Sequence, residues 1–164
     1  MKGVRTIDAN LKTVQLTVDW EHIGVKSIAR AGEQTVVEMG KGANSQSEDK
    51  GASPMETFLS SLGGCIIVFL AGLAEKRRLT INNIRIYIEG DYDPRGMSSS
   101  SSGIRPGFQQ IRYQVVVDSP DNPEVIRKVI AYAVKACPIK DTIMQGTAVI
   151  ETQLSQEPQM ATIS

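Results

Sequence analysis

"SPMETFLSSLGGCIIVFLAGLAEKRR", residues 53–78, decides the fold. Ser53 suits a helix N-cap, Pro54 the first helical position, and Glu56, three residues after Ser53, completes a capping box. Met55, Phe58, Leu59, Leu62, Cys65, Ile66, Phe69 and Leu73 then recur at intervals of three and four, the period of an α-helix. "EKRR" (75–78) puts positive charge where a helix C-terminus favours it. So much of the circumference is apolar that the stretch predicts a central helix buried on several sides. Gly63 and Gly64 precede Cys65 in its interior, although glycine costs roughly 1 kcal/mol relative to alanine there. Missing side chains leave room beside the sulfur for another backbone or for a ligand.

Strands and one further helix run flank this segment. "KTVQLTVDW" (12–20) alternates apolar and polar residues, and "VKSIAR" (25–30) and "EQTVVEMG" (33–40) follow it. Together they predict a small antiparallel meander. Residues 41–53 are rich in Gly, Ser and charge and read as a loop. "INNIRIYIEGDYD" (81–93) and "QQIRYQVVVD" (109–118) predict a long hairpin around the serine-rich 94–107. Asn122 and Pro123 open an amphipathic helix that runs to Cys137, and "TAVIETQL" (147–154) predicts a last strand before a polar tail. No linker or repeat divides the chain, so the expectation is one α+β domain over 1–164.

Composition narrows the function classes. The chain has 164 residues with 18 Lys plus Arg against 18 Asp plus Glu, which gives no broad attraction to nucleic acid or acidic membranes. Aromatic residues make up 5%, too few for a single-strand stacking platform. The first residues lack the apolar core of a signal peptide. No apolar run approaches the roughly 18 residues that span a bilayer, and the longest candidate, "CIIVFLAGLA" (65–74), stops at "EKRR". A cytoplasmic protein is expected. His22 is the only histidine beside two cysteines, so a Cys/His zinc site within one chain lacks ligands.

In a reducing compartment two thiols are catalytic, redox-sensing or buried filler more often than a structural disulfide. Cys65 lies on the apolar stripe of its helix. Cys137 precedes Pro138 in "KACPIKDTI", so it closes one helix and caps the next. A helix N-terminus favours a thiolate. Two cysteines, each beside a helix irregularity and on an apolar face, suggest a facing pair, and a peroxide-reducing thiol needs such a second thiol to resolve its sulfenic acid.

"ASPMETFLSSLGGCIIVFL" resembles the SPxExxLxxLxxC segment of the OsmC-like family, the osmotically inducible and organic hydroperoxide resistance proteins. "VKACPIKDTI" resembles that family's second cysteine motif, and the order of elements is similar over most of the chain. The resemblance implies an intertwined homodimer with active sites at the subunit interface. It implies that Cys65 attacks the peroxide, that Cys137 resolves, and that a dithiol regenerates the pair without metal or bound organic cofactor. Hydroperoxide-reducing members carry a glutamate directly after the proline and an arginine from the meander at the reactive thiol. Here Met55 follows Pro54 and Glu56 comes one position later. Arg30 is the meander arginine nearest the right region.

Glu56 is therefore the candidate catalytic acid beside Cys65 and Cys137, and it has two possible roles. At about 100° per residue, nine residues set Glu56 and Cys65 on opposite faces of an ideal helix. Either Glu56 serves the capping box, or altered geometry at Gly63-Gly64 or a partner chain brings it to a thiol. The function expected is a thiol peroxidase for organic hydroperoxides or hydrogen peroxide. The alternative is a non-enzymatic redox-sensing or small apolar ligand-binding module of the same fold.

Overall fold

The computed structural model describes residues 14–20, 24–42, 51–98 and 103–149. His22, most of the 41–53 loop, Ser99–Ser102 and the tail lie outside these residues. Among the described residues the chain is α+β, with antiparallel sheets and three α-helices. It forms two compact units, Met1–Gly64 with Ile86–Gln114, and Cys65–Arg85 with Val115–Ser164.

In the first unit, β1 (Thr17–Trp20), β2 (Ser27–Ala31) and β3 (Gln34–Met39) form the expected antiparallel meander. Thr17 pairs with Arg30 and Ala29 with Val37, and a bulge between Ala29 and Arg30 shifts the register toward Gly32. The chain then returns beside β3, where the Gly40 N–H donates to the Ala52 carbonyl at 3.0 Å.

There α1 (Pro54–Lys76) begins. The Ser53 N–H donates to Glu56 Oε2 at 2.7 Å, and the Glu56 N–H donates to Ser53 Oγ at 3.2 Å. This is the reciprocal capping box that the Ser53–Glu56 spacing predicts. At the other end the Leu79 N–H donates to the Ala74 carbonyl and Arg78 takes a left-handed φ of 55°. That is a Schellman-type stop, whose following apolar residue packs back on the fold.

In the second unit, α2 (Pro123–Lys135) starts at Asn122, whose side chain accepts from the Glu124 N–H at 2.8 Å. Its Val129 and Ala133 bury completely with Leu70 of α1. Leu73, Leu79, Ile84, Val115, Val117 and Ile130 pack around these three. Two of these shell positions come from β5 (Gln110–Asp118), which pairs with β4 (Asn83–Asp91). Both ends of the pairing are hydrogen-bonded, Asn82 N–H to the Asp118 carbonyl and Gln109 N–H to the Asp91 carbonyl, each at 2.8 Å. Cys137 caps α3 (Pro138–Gln145), which Gly146 ends in the left-handed conformation. Of the last strand expected over 147–154, residues 147–149 carry no regular structure and the rest lies outside the described residues.

Two expectations about α1 are corrected. The helix buries one stripe, Leu62, Ile66, Leu70 and Ala74, whereas Val68 is 70% and Phe69 40% exposed. Periodicity registers how apolar a helix is all round but not whether its own chain covers each side. By length and composition α1 also reaches the span of a bilayer, with a window of mean hydropathy 2.0. Gly, Ser and Ala interrupt its apolar runs without adding charge. A core helix passes the same test, and α1 buries one stripe of its surface within its own chain.

Candidate redox site

Cys65 sits in the middle of α1, one residue before the buried Ile66. Its residue is half-buried, and Cys137 is completely buried. Cys137 has extended backbone, φ −70° and ψ 112°, as the N-cap of α3. Its sulfur accepts the Lys140 N–H at 3.4 Å and donates its proton to Cys65 Sγ at 2.9 Å. The two helices thus bring together thiols 72 residues apart in the chain. Both are free. A disulfide of about 2.05 Å requires the sulfurs to close by only about 0.9 Å.

Withdrawal from water raises the Cys65 thiol above the ordinary cysteine value, and the hydrogen bond shared with Cys137 adds to this, while the Ile139 N–H acts the other way. Cys65 is consequently more protonated near neutral pH than a free cysteine, and its nucleophilic form grows as pH rises. Alkylation of Cys65 by iodoacetamide is expected to quicken about tenfold per pH unit with no plateau below about pH 9. Peptide mapping of pulse-labelled protein checks this, and a plateau near pH 6 would contradict it.

The glycines differ from each other. Gly63 is buried, and a Cβ there would meet Ile88 Cδ1 at 3.4 Å. Gly64 has nothing within 4 Å of a Cβ, so of the two glycines only Gly64 faces open space. Helix α1 is unbroken through both. Nine residues along it amount to about 13.5 Å of rise, so helix geometry does not carry Glu56 to Cys65. Glu56 binds the Ser53 N–H and lines a cavity of about 650 Å³ in the first unit, with Lys41, Met55, Leu59, Tyr92 and Phe108. The Phe108 ring lies against Gly90, where a Cβ would come within 2.6 Å, and it stacks on Phe58 at 6.0 Å. Arg30 pairs with Asp19 at 3.1 Å within the meander. Among the described residues no cluster of three or more His, Cys, Asp or Glu side chains is placed to hold a metal.

Sequence reasoning anticipated N–H groups near Cys137 but not that they reach both sulfurs; the Cys-Pro start of α3 was the available signal. The aromatic cavity was missed, since Gly90 and Phe108 are neighbours only through strand pairing.

A protein-family model described as OsmC-like protein matches residues 47–153. The chain belongs to the OsmC-like family. A hydroperoxide reductase of Mycoplasma genitalium is 26% identical over 113 residues, covering 69% of this chain and 76% of that protein. Among solved OsmC-like structures, an OsmC-like protein of Mycoplasma pneumoniae superposes with a TM-score of 0.65 at 20% identity, covering 81% of this chain and 88% of that one. An organic hydroperoxide resistance protein of Legionella pneumophila gives 0.55 at 13% identity, covering 81% and 90%. These structural likenesses bear on the fold. The hydroperoxide reductase and hydroperoxide resistance names belong to those relatives, and this chain shares the OsmC-like family with them.

Proposed function

We propose that the protein is a dithiol peroxidase that reduces organic hydroperoxides or hydrogen peroxide. The observation that carries this reading is the 2.9 Å approach of a half-buried thiol to a buried one. The Cys65 thiolate attacks the terminal peroxide oxygen, the O–O bond breaks, and the alcohol or water leaves with a proton. Cys65 becomes a sulfenic acid. The Cys137 sulfur then attacks the Cys65 sulfur, water departs, and the disulfide forms. A dithiol reductant returns both thiols, and no metal or bound organic cofactor enters the cycle. The reaction takes place in the cytoplasm.

The working form is a homodimer. The uncovered apolar side of α1, with Val68 and Phe69 exposed and Gly64 and Gly72 open, supports a second copy packing there. In the proposed cycle Glu56 acts on a thiol only from that second copy, because its own helix holds it away from Cys65.

The test is Cys137→Ser protein treated with an organic hydroperoxide and a dimedone-type nucleophile. Trapping of the nucleophile at Cys65 in close to one copy per chain is expected. Peroxide consumption with no adduct at Cys65 would overturn the assignment of roles. The ligand-binding alternative is favoured by the aromatic cavity of the first unit, whose Phe108, Tyr92 and Leu59 suit a small apolar molecule.

A further inference from the structure

A pair of reduced thiols in contact is also a ligand set, and its spacing selects among soft electrophiles. Soft centres prefer thiolate sulfur, with metal–sulfur bonds of about 2.3 Å as in zinc sites. A linear two-coordinate ion on such bonds needs sulfurs about 4.6 Å apart, and a tetrahedral one about 3.8 Å. A pyramidal centre with near-right-angle bonds needs only about 3.3 Å. The Cys65 and Cys137 sulfurs stand 2.9 Å apart. Cys137 is fully buried and tied by its hydrogen bond to the Lys140 N–H, so wide separation of the sulfurs is resisted.

Ligand count points the same way. Tetrahedral zinc requires further protein ligands, and among the described residues no group of three or more metal-binding side chains exists. A trivalent arsenic atom that already carries one organic group is satisfied by two sulfurs. Cys65 is only half-buried, so one member of the pair is open to an incoming arsenical and its organic group.

We propose that the reduced Cys65–Cys137 pair is a chelating site for mono-substituted trivalent arsenicals. With an arsenic(III) oxide such as phenylarsine oxide, two S–H bonds and the arsenic–oxygen bond break, and two As–S bonds form. One water leaves, carrying both protons. Nothing is oxidised or reduced. The chelate needs both sulfurs in one chain but no peroxide chemistry, so it stands or falls separately from the peroxidase reading.

The test uses fully reduced, full-length protein without oxygen and phenylarsine oxide as the probe. One equivalent is expected to remove both thiols from titration by a water-soluble disulfide reagent. Intact mass should rise by one phenylarsenic group less two hydrogens, and excess small dithiol should reverse the change. Cys65→Ser and, separately, Cys137→Ser should each retain the arsenical about 100-fold or more weakly, because the second bond of a chelate forms at high effective concentration. Circular dichroism of each variant establishes that it is folded, and the half-buried position of Cys65 makes Cys65→Ser the milder change. Zinc added in place of the arsenical should leave both thiols titratable. Equal retention by a folded single-thiol variant, or one free thiol remaining after one equivalent, would overturn the proposal.

Discussion

Cys65→Ser is expected to lower dithiol-dependent hydroperoxide consumption by about a thousandfold or more, to the background of the buffer. A serine hydroxyl without an adjacent base is a far weaker nucleophile than a thiolate, and it cannot hold an oxygen as sulfenic acid. The fold should survive, because Cys65 is half-buried and the packed stripe of α1 runs through Leu62, Ile66, Leu70 and Ala74. Stopped assays with an aromatic hydroperoxide and excess dithiol measure the rate, and circular dichroism follows the fold. Cys137→Ser behaves differently. Its first turnover proceeds, but recycling then depends on an external thiol reaching the Cys65 sulfenic acid. Wild-type rates in Cys65→Ser would remove Cys65 from the mechanism.

Leu70→Ala carries the largest expected loss of stability, about 3 kcal/mol within a range of about 2–5. Leu70 is completely buried in one cluster with Val129 and Ala133 of α2, and Leu73, Leu79, Ile84, Val115, Val117 and Ile130 pack against that cluster. Shortening it removes transfer free energy and leaves a cavity that two helices and a strand pair must collapse to fill. Urea unfolding at one fixed protein concentration should show a lower midpoint with an unchanged slope. A loss under about 1 kcal/mol would mean that these elements are not held by this cluster.

Much of this was legible in residues whose meaning is local. Ser53, Pro54 and Glu56 mark the start of α1 because a capping box is completed within four residues. Asn122-Pro123 and Cys137-Pro138 mark two more helix starts for the same reason. Alternating isoleucines at 84, 86 and 88 give β4, since a strand with one sheltered face repeats every second residue. The candidate site was only half legible. Each cysteine could be placed on its element, but their meeting depends on packing between elements distant in sequence. The fate of each glycine is likewise tertiary: Gly63 turned out packed against Ile88 and Gly64 open, although the two are adjacent. The degree to which α1 is covered was overread, because an apolar surface is a property of sequence and its partner is not.

Glu56 marks another boundary of sequence reading. Its position alone offered a cap or a catalytic acid, and hydrogen-bond geometry assigns the first role within the chain. The second role belongs to the dimer proposed above, where α1 keeps an uncovered apolar side.

The central claim is that Cys65 and Cys137 are oxidised together by a peroxide within one chain. A single-turnover thiol count tests it most directly: fully reduced protein, a slight excess of organic hydroperoxide, free thiols and intact mass followed together. Rapid loss of both thiols, two hydrogens lost per chain, and recovery of a Cys65–Cys137 disulfide peptide is the predicted result. Persistence of both thiols for many minutes, at a pH where alkylation detects the Cys65 thiolate, would contradict it and move the ligand-binding reading to first place.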